Sequence, residues 1–177
     1  GYYGWVGPHV GNPGVDYNET RSFSSDFAVG GSFDLNITSD GLFFRDYGFT
    51  PSSGSPYVGQ TNLLADNINR NQPGSIVFTF SGLASGDYTM QTFHHDSWFG
   101  TTVVPFDITV MDALDTRTVA SGLDTSGGYD PSVITTALFA FTVGGNGDAT
   151  VIFDTSSAGY TEHMAINGFQ LTGAAVP

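Results

Sequence analysis

His94, His95 and Asp96, with Trp98 two residues beyond, form the densest group of chemically capable side chains in the sequence. They close the stretch SIVFTFSGLASGDYTMQTFHHDSWFG, Ser75 to Gly100. Imidazole beside carboxylate suits Zn, Ni, Cu or Mn, and the same pair can pass protons. His163 next to Glu162 repeats the theme downstream. Neighbouring residues on a strand face opposite sides, so His94 and His95 can share an ion only where the strand ends. Otherwise one ring packs inside and the other meets solvent. No Gly-x-Ser-x-Gly elbow, HExxH helix or phosphate loop accompanies them. The expectation is therefore a non-catalytic role, with a polysaccharide lyase or hydrolase centred on His95 and Asp96 as the least favoured reading.

Acidic loops point to calcium, a hard cation that takes carboxylate, amide and carbonyl oxygens. Asp16, Asn18 and Glu19 fall in one expected loop, Asp124 and Asp130 in another. With Asp96 and His163 they make up the candidate metal ligands, and calcium is the one cofactor expected. Trp98, Tyr129 and Tyr160 lie in segments without strand periodicity, where a ring can serve as a flat platform for a sugar or an anchor for a protein. Together with His94, His95 and Asp96 they are the candidate ligand-binding residues. Two sequons, Asn18-Glu19-Thr20 and Asn36-Ile37-Thr38, make Asn18 and Asn36 candidate glycosylation sites.

Strands must position these groups. Ile76, Phe78 and Phe80 alternate, Gly82 to Asp87 has turn chemistry, and Tyr88, Met90 and Thr92 alternate again, which predicts a hairpin. Phe33, Leu35 and Ile37 predict a half-buried strand, turned at Ser39-Asp40-Gly41 into a return arm from Leu42 to Tyr47. Phe106, Ile108 and Val110 predict another. A short segment beginning at Val119 dissolves into a loop from Gly122 to Pro131. Val133 to Val143 reads as a strand covered on both faces, and Ala149 to Thr155 as its return. Thr61 to Arg70 has apolar residues at Leu63, Leu64 and Ile68, a spacing that fits two helical turns and also an irregular strand. Near the C-terminal end the apolar phase slips, from Met164 and Ile166 to Phe169 and Leu171, which predicts a β-bulge at Asn167-Gly168.

Strands recurring without intervening helical patterns argue for an all-β chain, a single-domain antiparallel β-sandwich of jelly-roll type with little helix. Residues 1–18, rich in Gly, Pro and aromatics, read as an arm or strap, and residues 19–177 as the sandwich. The 177 residues carry four Arg, no Lys and seventeen acids, a formal net charge of −13. The four Arg are scattered singly, which disfavours nucleic acid and anionic membranes. There is no cysteine, so neither a disulfide framework nor a thiolate metal site is available. No apolar run reaches the roughly 20 residues that span a bilayer, so direct membrane insertion is not expected. The chain starts at Gly1 without a Met, as a mature exported product would.

The phrases SGLASGDYTMQTFHHD (Ser81 to Asp96) and AINGFQLTGAAVP (Ala165 to Pro177) resemble exported bacterial proteins of the exosortase-sorted, PEP-CTERM class. In that class a β-sandwich passenger precedes a Val-Pro-Glu-Pro sorting signal, an apolar helix and a basic tail; here the chain stops at Val176-Pro177. The resemblance implies secretion to the cell surface or extracellular matrix and no particular reaction. The leading functional expectation is a structural or adhesive β-sandwich that self-associates, through its Gly- and Tyr-rich arm, into a surface or matrix fibre. Its alternative is a calcium-dependent carbohydrate-binding module that takes an extracellular polysaccharide.

Overall fold

A computed structural model describes residues 2–4, 17–39, 41, 43–46, 53–54, 56, 66–70, 73–96, 105–128, 133–155 and 164–173. Fourteen strands follow in order among them: β1 (Tyr2–Gly4), β2 (Tyr17–Ser24), β3 (Ser32–Ser39), β4 (Phe43–Asp46), β5 (Asp66–Arg70), β6 (Ser75–Ser81) and β7 (Gly86–Asp96). Then come β8 (Pro105–Met111), β9 (Thr116–Asp124), β10 (Ser126–Gly127), β11 (Thr135–Val143), β12 (Ala149–Asp154), β13 (Met164–Ile166) and β14 (Gly168–Gly173). One sheet runs β2-β3-β6-β12-β8-β9; the other runs β1-β14-β7, with β11 and then β10 along the far side of β7. A small third sheet, β13-β5-β4, completes the fold. The chain is an all-β, jelly-roll-like antiparallel sandwich; among the described residues the one parallel ladder is the two-residue pairing of β10 with β7.

Period-two burial builds it. On β3 the inward residues Phe33, Leu35 and Ile37 are buried, and on β6 Ile76, Phe78 and Phe80 are fully so. From the opposite sheet come Tyr88, Met90, Phe141, Phe169 and Leu171. Phe169 meets Phe80 edge-on at 5.7 Å and Phe78 at 6.2 Å, while Phe80 stacks on Phe141 at 6.0 Å, so aromatic rings from both sheets close the core. Each such ring contributes about 1.5–3 kcal/mol through burial.

The expected hairpin at Ser75 to Thr92 is not one. β6 lies between β3 and β12, whereas β7 lies between β14 and β11 in the facing sheet. The turn between them is an arch from one layer to the other, pinned by buried Leu83, whose N–H donates to Gly147 O at 3.2 Å. Gly82, at φ 82°, supplies its left-handed corner. Two strands with identical alternation can pair or face each other, and here they face.

Further expectations change as well. Residues 43–46 form a strand, but it pairs with β5 and not with β3. Asp66–Arg70 is strand, not helix, and the remainder of the Thr61–Arg70 stretch lies outside the described residues. The phase slip at Asn167 is a change of sheet: β13 pairs with β5, and β14 with β7 and β1. Val119 sits in a nine-residue strand, β9, that runs to Asp124. On β11 only one face is covered, with Ala137, Phe139, Phe141 and Val143 inward and Leu138 71% exposed. The strap expected at the N-terminal end is paired in part, through Tyr2–Gly4 on β14.

Candidate functional site

β7 is the longest strand among the described residues, and its last three residues end beneath the small third sheet. His94 and His95 are 0% exposed and Asp96 is 2% exposed. This corrects the expectation that one of the two rings meets solvent. Alternation sends His94 into the core, where its ring lies 4.7 Å from Phe106 and 5.9 Å from Phe153. Its Nδ1 donates to Ala165 O at 2.9 Å, because a carbonyl can only accept. That leaves Nε2 to accept the Thr92 hydroxyl at 2.8 Å. Burial without a counter-charge pushes the imidazole down to about 4, so the ring is a neutral structural member.

His95 points the other way. Its Nε2 donates to Gly128 O at 2.9 Å, and its Nδ1 lies 3.1 Å from Ser126 Oγ. Ser126 has one hydroxyl hydrogen and two acceptors in reach, His95 Nδ1 and His94 O, the latter at 2.9 Å. Burial holds this imidazole below its ordinary value as well, against the opposing pull of Gly128 O and Asp96. Both rings are committed to the protein, and they occupy opposite faces of β7. They therefore cannot close on one ion.

Asp96 shares the His94 side of the strand and receives Asn69 Nδ2 on its Oδ2 at 3.1 Å. Asn67 and Asn69 alternate with core residue Ile68 along β5 and are both 0% exposed. Asn167, also 0% exposed, accepts the His95 backbone N–H on its Oδ1 at 2.6 Å. Thr125 Oγ1 takes the Ala165 N–H at 3.2 Å. Arg70, 2% exposed, donates from Nη1 to Ser39 Oγ at 3.0 Å and from Nη2 to Pro73 O at 2.6 Å. The sandwich core thus ends in a polar layer. Sequence reasoning missed Asn67, Asn69, Asn167, Thr125 and Arg70; the alternation of Asn-Ile-Asn was the available signal.

Several candidate residues stand apart from this layer. Asn18 and Glu19 lie on β2, not in a loop, on opposite faces; Asn18 Oδ1 accepts Asn36 Nδ2 at 2.7 Å, and Glu19 pairs with Arg21 at 2.9 Å. Asn36 also donates to Thr20 Oγ1 at 3.1 Å, so the two sequons sit cross-strand on the outer face. Asp124 is the exposed last residue of β9, opposite Pro105. Among the described residues no three His, Cys, Asp or Glu side chains gather as a metal site. Trp98, Tyr129, Tyr160, Asp16, Asp130 and His163 lie outside the described residues.

Their points of attachment are described, and they converge. The segment bearing Trp98 leaves β7 at Asp96. The one bearing Tyr129 leaves at Gly128, whose N–H donates to Asp96 O at 3.2 Å. The one bearing Tyr160 rejoins at Met164, one residue before the Ala165 that His94 and Thr125 hold.

No protein-family model and no curated protein sequence matches the chain. Among solved structures it is similar to a family 35 carbohydrate-binding module from Clostridium thermocellum, at 14% identity and a TM-score of 0.46, over 88% of this chain and 99% of that one. It is also similar to a family 61 module solved with β-1,4-galactotriose, at 15% identity and 0.42, over 88% of each chain. A family 51 module from Clostridium perfringens, solved with methyl-galactose, gives 14% identity and 0.42, over 92% of each. No helix among the described residues is long and apolar enough to cross a membrane.

Proposed function

We propose that this chain is a non-catalytic carbohydrate-binding β-sandwich that acts outside the cell on a polysaccharide. The observation that carries the reading is the convergence of three stems, at Asp96, Gly128 and Met164, on one buried polar layer. Each stem continues into a segment with one of the candidate ring platforms, Trp98, Tyr129 or Tyr160. A sugar face needs aromatic rings carried on a rigid base, and β7 with its hydrogen-bonded histidines supplies such a base. The family 61 and family 51 modules were solved with galactose-type ligands, so galactans belong in the first panel.

The rival expectation, a fibre subunit joined through its N-terminal arm, needs a free strand to donate. Tyr2–Gly4 is already paired with β14 of its own chain.

Affinity electrophoresis against a polysaccharide panel tests the reading. Retardation by at least one glycan, weakened about tenfold or more by Trp98→Ala, Tyr129→Ala or Tyr160→Ala, supports it. No retardation by any glycan, with filaments in the same preparation by electron microscopy, would overturn it in favour of the structural role.

A further inference from the structure

The polar layer contains a defect found nowhere else among the described residues. Asn67 is 0% exposed, and neither its Oδ1 nor its Nδ2 has a hydrogen-bond partner among the described residues; the same holds for Asn69 Oδ1. Burying an amide without partners is costly, and native proteins almost always satisfy such groups. The two orphaned amide oxygens, on two residues of one strand face, are therefore a sign of something that belongs between them.

The neighbours define its chemistry. Asn67 and Asn69 are two apart on β5 and share a face, and Asn69 reaches Asp96 Oδ2 at 3.1 Å. The face thus presents two amide oxygens next to a buried carboxylate. No thiolate is available, because the chain has no cysteine, and both imidazoles of the corner are spent on Ala165, Thr92, Gly128 and Ser126. An all-oxygen donor set with one formal negative charge suits a hard cation. Calcium accepts neutral amide oxygens in irregular, many-ligand geometry, whereas magnesium demands a near-ideal octahedron and keeps its waters.

We propose that Asn67, Asn69 and Asp96 form a buried calcium site that fastens β5, and through it the small third sheet, to the end of β7. The site lies beneath the stems at Asp96 and Met164, so the ion would stiffen the base on which those segments stand. This inference does not rest on the carbohydrate reading, since a fibre subunit with the same core would bind the ion equally.

The test uses the full chain, stripped with a chelator and titrated with calcium chloride, magnesium chloride serving as control. Calorimetry should show one calcium per chain. Thermal unfolding should rise by about 5–10 °C at a hundredfold excess over Kd, with little change for magnesium. Asn67→Ala should remove both signals. Asn67→Asp adds a charge to the site: it should lower Tm in chelator, recover with calcium, and bind about tenfold tighter. Should Asn67→Ala fail to fold, Asn67→Asp decides alone. Absence of heat and Tm shift in the unmodified chain would overturn the proposal, leaving a buried water as the partner of both amides. So would an undiminished calcium response in Asn67→Ala, or a loss of stability in Asn67→Asp that calcium does not relieve. None of these readouts involves a glycan, so failure here leaves the sugar-binding reading standing, and the converse also holds.

Discussion

Asn167 Oδ1 accepts the backbone N–H of His95 at 2.6 Å, while the Asn167 N–H donates to Phe93 O at 2.8 Å. One residue thereby completes the ladder of β7 where the chain passes from β13 to β14. Asn167→Ala leaves the His95 N–H buried and unpaired, which should cost about 1–3 kcal/mol in urea unfolding. Asn167→Ser, with a shorter acceptor, should recover little of it.

His94 makes stability depend on pH. Its folded value, about 4, lies below the ordinary 6.5, so the unfolded chain binds the proton more readily. The contribution is complete above pH 6.5 and is lost as pH falls toward 4, by at most about 3 kcal/mol. The urea midpoint should therefore drop between pH 7 and pH 4.5. His94→Gln should start lower at pH 7 and show a flatter profile over that window; an unchanged slope would refute the assignment.

Asp112 is a clasp between sheets. Its Oδ1 accepts the N–H groups of Leu114 and Asp115 at 2.9 and 3.2 Å, and its Oδ2 accepts the N–H of Thr142 on β11 and Arg117 Nη2, at 2.9 and 3.0 Å. Burial raises this carboxyl, but Arg117 and the three backbone donors outweigh it and hold the group well below the usual range. Asp112→Ala should speed hydrogen exchange at Thr142 and Leu114 by tenfold or more, an opening of about 1.4 kcal/mol. Because the folded value is depressed, this clasp is intact above about pH 4 and weakens only in stronger acid.

Gly173 packs against the ring of Tyr88, and a Cβ there would overlap it. The ring cannot retreat: it stacks on Phe141 at 5.5 Å and its hydroxyl is tied to Phe27 O and Ala84 O, at 3.0 and 2.8 Å. Gly173→Ala should cost about 1–3 kcal/mol by chemical denaturation. The double variant Gly173→Ala with Tyr88→Leu should cost less than the sum of its parts.

The strands that alternate cleanly were legible from sequence. Phe33, Leu35 and Ile37, or Phe106, Ile108 and Val110, bury one face and wet the other, and no helix does that. Which sheet a strand joins was not legible. Ile76 to Phe80 and Tyr88 to Thr92 carry the same period whether they pair side by side or face each other across the core. The slip at Asn167-Gly168 was a true signal, but a bulge and a change of sheet shift the phase alike. At the candidate site, the grouping of His94, His95 and Asp96 could be read and their burial could not. Asn67 and Asn69 escaped notice because asparagine is usually a surface or turn residue, and only the third sheet folded over the end of β7 makes it interior.

The pairing of Tyr3 with Phe169 joins the first described strand to the last. Chain order therefore governs when the molecule can be finished: the seat for β1 does not exist until β14 has docked on β7. A nascent chain must hold Tyr2–Gly4 unpaired until Gly168–Gln170 are available to receive it. Such long closure distances make folding slow, on the order of milliseconds to seconds, and β1 should be the last strand to gain protection in pulse-labelled refolding.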